Sequence, residues 1–82
     1  MKYVIKSHAR ERMKERSISE KLIEDAIANP TMVLYDNDGR ILFKKLYKNK
    51  GIDRLLLVAG EPKKDILEIV TVIETSKIKK YL

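Results

Sequence analysis

The sequence predicts an α+β fold: two N-terminal helices, then a meander of strands forming a mainly antiparallel sheet of four to five strands. Three observations carry this. Good helix formers fill residues 8–16, and apolar residues recur at helical spacing at Leu22, Ile23, Ala26 and Ile27. Asn29-Pro30 stops that pattern abruptly. From Thr31 onward, short runs rich in Val, Ile, Leu, Phe and Tyr alternate with Asp38-Gly39, Gly51 and Pro62. A chain of 82 residues fits a single domain, 1–82.

The elements follow in order. Lys2–Lys6 is a short first strand around the β-branched pair Val4 and Ile5. Ser7 is placed to cap a helix over His8–Arg16. A second helix starts near Ser19, whose neighbours Ile18 and Ile23 have the spacing of a hydrophobic staple; Ser17 with Glu20 offers a competing capping box. Thr31–Tyr35, Arg40–Tyr47 and Asp53–Gly60 read as strands, with Asp36, Asp38 and Gly39 as turn residues and Pro62 ending the third. In the last strand, Ile66–Thr75, Leu67, Ile69, Thr71 and Ile73 form one row and Glu68, Val70, Val72 and Glu74 the other. Ser76–Leu82 is a short basic extension.

Composition bounds the chemistry. The chain has no cysteine and one histidine, so neither a disulfide nor a zinc–thiolate site is expected, and no metal or other cofactor. Eighteen Lys and Arg against twelve Asp and Glu leave a net charge of +6. That balance suits an acidic partner such as RNA, and also suits a plain solvated surface. No secretory leader and no apolar run long enough to cross a bilayer are expected, which points to the cytoplasm and away from membranes.

The single histidine sits among cations. At about 100° per residue, His8, Arg12 and Glu15 fall within roughly 60° of one another on the first helix, with Glu11 and Arg16 flanking. A surface helix laced by Arg12–Glu15 and Glu11–Lys14 pairs explains this composition. So does a proton-transfer group beside a polyanion. Free imidazole titrates near pH 6.5, so it takes a proton from a hydroxyl at neutral pH. A 2′-hydroxyl of RNA attacking the adjacent phosphate needs such a base, and positive groups for the developing charge.

The stretch SHARERMKERSISEKLIEDAIANP resembles the opening of a small prokaryotic domain family of unknown function. The resemblance rests on Ser7-His8-Ala9, Arg12-Met13, Arg16 with Ile18-Ser19, and Asn29-Pro30, and on Val70-Thr71-Val72 near the end. It covers nearly the whole chain. That family is grouped with RelE/ParE-like toxins and barnase-like nuclease folds. The resemblance therefore implies a curved antiparallel sheet with helices on one side. It also implies a metal-independent ribonuclease, often the toxin of a toxin–antitoxin pair. The positions that match are His8, Arg12, Arg16 and Thr71, the expected catalytic set.

Further basic and aromatic residues are candidates for holding nucleic acid. Lys44, Lys45 and Tyr47 share a strand, and an aromatic among cations can stack on an unpaired base. Lysines also protect edge strands from aggregation. In the tail, Lys77, Lys79 and Tyr81 offer cations and a phenol, or simply a mobile basic end. The expected partners are RNA, including ribosome-bound mRNA, an antitoxin protein, and a second copy of the chain. A non-catalytic RNA- or protein-binding module on the same fold is the alternative.

Overall fold

The computed structural model describes residues 2–82. Among these the chain runs β1 (Lys2–Ile5), α1 (Ser7–Arg16), α2 (Glu20–Ala28), β2 (Met32–Tyr35), β3 (Ile41–Asn49), β4 (Ile52–Lys63), β5 (Ile66–Thr75) and α3 (Ile78–Tyr81). This is a mixed α+β arrangement with three helices and one five-stranded sheet, ordered β1-β5-β4-β3-β2. Strands β2 to β5 pair antiparallel in sequence order, while β1 pairs parallel with β5.

Helix α1 begins one residue earlier than the cap reading expects. Lys6 is its N-cap, with no side-chain cap bond, and Ser7 is already helical. The chain leaves β1 with an extended Lys6 (φ −71°, ψ 160°), so the backbone turns helical before a Ser7 cap is possible. Ser17 closes α1 in the left-handed region (φ 54°), and the Ile18 N–H reaches back to the Met13 carbonyl at 2.8 Å. That C-terminal lock commits Ser17 to the first helix and removes it as a cap for the second. Ser19 takes that role, its Oγ accepting from the Leu22 N–H at 3.1 Å. Losing this bond in Ser19→Ala should cost about 1 kcal/mol, read as a lower urea midpoint at unchanged m-value. A midpoint equal to wild type would show that the cap contributes nothing.

The buried cluster joins helices and sheet. Ala9 and Met13 of α1, Ile18, and Ile23 and Ala26 of α2 are buried together with Ile5, Phe43, Leu56, Val58, Leu67, Ile69 and Val72. The helix-facing side of the sheet is thus set by Phe43, Leu56 and Val58. Leu55 and Leu57 alternate with them and are also buried, at 0% and 6% exposure, on the opposite side. The Lys44 ammonium on that opposite side donates to the Tyr81 carbonyl, so the tail lies over the other face of the sheet rather than leaving it bare.

Two strand expectations are corrected. Pro62 does not end pairing: β4 continues to Lys63, and Pro62 sits opposite Leu67. Pairing between β3 and β4 stops at Ile41 and Gly60, so β4 is an edge beyond that point, where proline is tolerated. Second, the alternation along β5 does not run unbroken. Ala59 pairs with Thr71 and Gly60 with Ile69, which leaves Val70 as an extra residue. This bulge exchanges the two faces. Leu67, Ile69 and Val72 face the core, whereas Thr71 leaves the row of Leu67 and Ile69, and Ile73 is half exposed. Gly60 lies beside the bulge, and a Cβ there would come within 2.7 Å of Leu67 Cδ1.

Among the described residues no helix is long and apolar enough to cross a membrane.

Candidate functional site

A groove of about 160 Å³ opens between α1 and β5, lined by Arg12, Arg16, Thr71, Val72, Ile73 and Glu74. Its construction follows from the two elements. Ala9 and Met13 anchor α1 on the core, which turns the row one position earlier, Arg12 and Arg16, along the side of the helix. The other wall is four consecutive residues of β5, Thr71 to Glu74, just past the bulge at Val70. Three of the four residues expected to act together therefore meet: Arg12, Arg16 and Thr71.

The two arginines are free cations. Neither makes an ion pair or a side-chain hydrogen bond among the described residues, so the expected Arg12–Glu15 pair does not form, and neither does Glu11–Lys14. Short-range pairs on an exposed helix contribute only about 0.3–0.5 kcal/mol, too little to hold long side chains in one place. The one carboxylate in the groove wall, Glu74, is already engaged. It accepts from the Tyr47 hydroxyl at 2.9 Å and faces Arg54 Nη1 at 3.5 Å. The groove thus keeps an excess of positive charge.

His8 stands apart from the groove lining. It is exposed at the start of α1, on the same helix face as Arg12 and one turn before it, about 6 Å along the axis. From there the imidazole reaches a ligand held by Arg12 only if that ligand extends past the groove.

The remaining candidates are dispersed. Lys45 is on the helix-facing side but is tied to the end of α2, donating to the Asn29 carbonyl at 2.6 Å and pairing with Asp25 at 3.3 Å. A cation there suits the negative end of a helix. With Asn29, it also holds the Asp25 carboxyl below its usual range, the Asn29 hydrogen bond contributing most. Lys44 is buried under the tail, 8% exposed. Lys77 and Lys79 are exposed, and the Tyr81 ring has Lys80 Nζ at 5.4 Å from its centroid. The Tyr81 carbonyl accepts from the Lys44 ammonium, which sets the end of the tail over the face of Lys44.

Sequence reasoning passed over Glu74 and Arg54. Their signal was present but faint: a glutamate directly before Thr75-Ser76, and an arginine directly before Leu55-Leu56-Leu57. Arg54 Nε is buried without a partner, so the guanidinium is held in place incompletely satisfied. Tyr47, part of the same network, has its pKa pushed up to about 12, first by burial and then by the bond to Glu74. The folded value lies above the unfolded one near 10. The neutral phenol thus stabilises the fold fully below pH 10, and that contribution is lost as the pH climbs through 12. Glu74→Gln should bring the Tyr47 ring titration, followed by carbon NMR, to lower pH. An unchanged midpoint would mean that burial alone sets it.

Among the described residues no three His, Asp or Glu side chains gather as a metal would need. A family model described as "Domain of unknown function (DUF4258)" matches residues 5–79. No curated protein and no solved structure matches the chain.

Proposed function

We propose that this chain, which belongs to the family of domains of unknown function DUF4258, is a metal-independent endoribonuclease of RelE/ParE-like type. On this reading its two N-terminal helices and its sheet form the RelE-like core, and the groove between α1 and β5 holds the RNA backbone. The observation that supports it most is that Arg12 and Arg16, which have no ion partner among the described residues, line one groove with Thr71. Planar guanidinium forks match phosphate geometry and keep their charge at any physiological pH.

The chemistry assigns one role to each group. Arg12 and Arg16 grip the phosphate and offset the charge that grows on its oxygens as the 2′-oxygen attacks. The Thr71 hydroxyl donates to a non-bridging oxygen. His8, one turn away, takes the proton of the 2′-hydroxyl as the 2′-oxygen attacks, and the departing 5′-oxygen takes its proton from water or from the imidazolium so formed. The products are a 2′,3′-cyclic phosphate and a 5′-hydroxyl end. A partner protein of the antitoxin kind keeps the activity silent, and ribosome-bound mRNA is the proposed target.

A second reading has its own support. His8 is exposed and outside the groove lining, which favours an RNA-binding module that does not cut. One experiment separates the two. Labelled RNA is incubated with EDTA and the wild type, His8→Ala or Arg12→Ala, each shown to be folded, with and without ribosomes. Cyclic phosphate ends from wild type alone support the nuclease. Equal RNA binding by wild type and His8→Ala, with no cleavage by either, supports the module. RNA neither bound nor cut sinks both readings.

A further inference from the structure

Strand β5 is paired on both sides for only part of its length. β4 accompanies it from Ile66 to Thr75, but β1 accompanies it only from Ile66 to Ile69. The chain then leaves that column, the Lys6 N–H making the last bond, to the Ile69 carbonyl, at 2.9 Å. From Val70 to Thr75 the outer edge of β5 has no backbone partner among the described residues. The α1–β5 groove is lined by four consecutive residues of this stretch, Thr71 to Glu74. Side chains alternate across a strand, so a wall of consecutive residues exposes main chain.

We propose that this half-edge of β5 receives an extended acidic segment of another protein, which continues the column that β1 vacates.

Two physical arguments select that occupant. An open strand edge presents N–H donors and C=O acceptors in alternation. A peptide backbone answers both, whereas a nucleic-acid backbone brings acceptors in its phosphates and leaves the strand carbonyls facing like charge. Charge decides which peptide. Arg12 and Arg16 flank the edge without ion partners among the described residues, so carboxylates on the incoming segment gain two cations. A second copy of this chain fits badly. Two-fold pairing of β5 edges would set Arg12 and Arg16 against their own images. The other outer strands are less inviting, since β1 and β2 each span only four residues.

An added strand also lies across the groove and covers Arg12 and Arg16. It would exclude any anion held there, and this consequence alone rests on the RNA reading above. Binding of the strand itself does not.

The test uses the full chain, isotopically labelled, and a blocked eight-residue peptide alternating valine and glutamate. Amide hydrogen exchange is followed residue by residue. The expected result is that outward-facing amides between Val70 and Thr75 slow by about 10-fold or more while those of β2 do not. A peptide with lysine in place of glutamate gives no such slowing. Arg12→Glu with Arg16→Glu, checked for folding by circular dichroism, loses the effect. Unchanged exchange at saturating peptide overturns the proposal, as does equal slowing at β2 or by the lysine peptide. An RNA oligonucleotide is added in a parallel arm. Slowed β5 amides with peptide but no RNA binding would leave this site standing and remove the RNA reading. RNA binding without peptide protection would do the reverse.

Discussion

Removing both guanidinium groups from the groove, as Arg12→Ala with Arg16→Ala, is expected to weaken RNA binding roughly 100-fold at low salt. Each phosphate bond to a charged donor contributes on the order of 1.5–3 kcal/mol, and the two losses together reach that range even when part is recovered by water. The salt dependence is the sharper reading. Each phosphate neutralised on a single strand adds about 0.7 to the slope of log K against log salt, so two lost contacts flatten it by about 1.4. Both side chains are exposed and neither is paired among the described residues, so the double variant should unfold at the wild-type urea concentration. A wild-type slope in the variant would place the RNA elsewhere, with the exposed Lys77 and Lys79 of the tail as the next candidates. Circular dichroism of the variant separates this outcome from simple unfolding.

Truncating Leu56 to alanine is expected to remove about 3–4 kcal/mol of stability, a large share of the roughly 5–15 kcal/mol a domain has. Leu56 is fully buried at the centre of the sheet, opposite Lys45 on one side and Glu74 on the other. Its cavity would open beneath the network of Tyr47, Glu74 and Arg54, where neighbouring side chains are pinned by hydrogen bonds and collapse poorly. Urea unfolding followed at two wavelengths measures the loss. A cost below about 1 kcal/mol would mean that the core relaxes around the site. Leu46→Ala makes a useful contrast, because Leu46 is 36% exposed and should cost far less.

Part of the groove lining and one turn match groupings made from the sequence. Arg12, Arg16 and Thr71 stand in the same groove, and Asp36 and Gly39 form the turn assigned to them. Asp36 Oδ1 accepts from the Asp38 and Arg40 N–H groups at 2.9 and 2.8 Å. Lys44 and Lys45 show where such reading runs out. Adjacent in sequence, they point to opposite faces. One is covered by the tail and the other is drawn to the end of α2. Basic side chains look alike in a sequence, and only their long-range partners distinguish a free cation from a spent one. Glu74 was missed for a related reason: its partners, Tyr47 and Arg54, come from two other strands.

The sequence by itself determined the local elements: the Ser19 cap, the stop at Asn29-Pro30, the turns, and the order of helices and strands. These depend on contacts within a few residues, where backbone sterics and capping bonds leave few choices. Tertiary structure alone decided the rest. It placed β1 parallel to β5 and ended that pairing at Ile69, and it set the Val70 bulge that turns Thr71 out of the row its alternation implies. Register and bulges are settled by how whole strands fit a shared core, and moving one residue reverses every side chain beyond it. The groove beside Arg12 and Arg16 exists because of those two non-local choices.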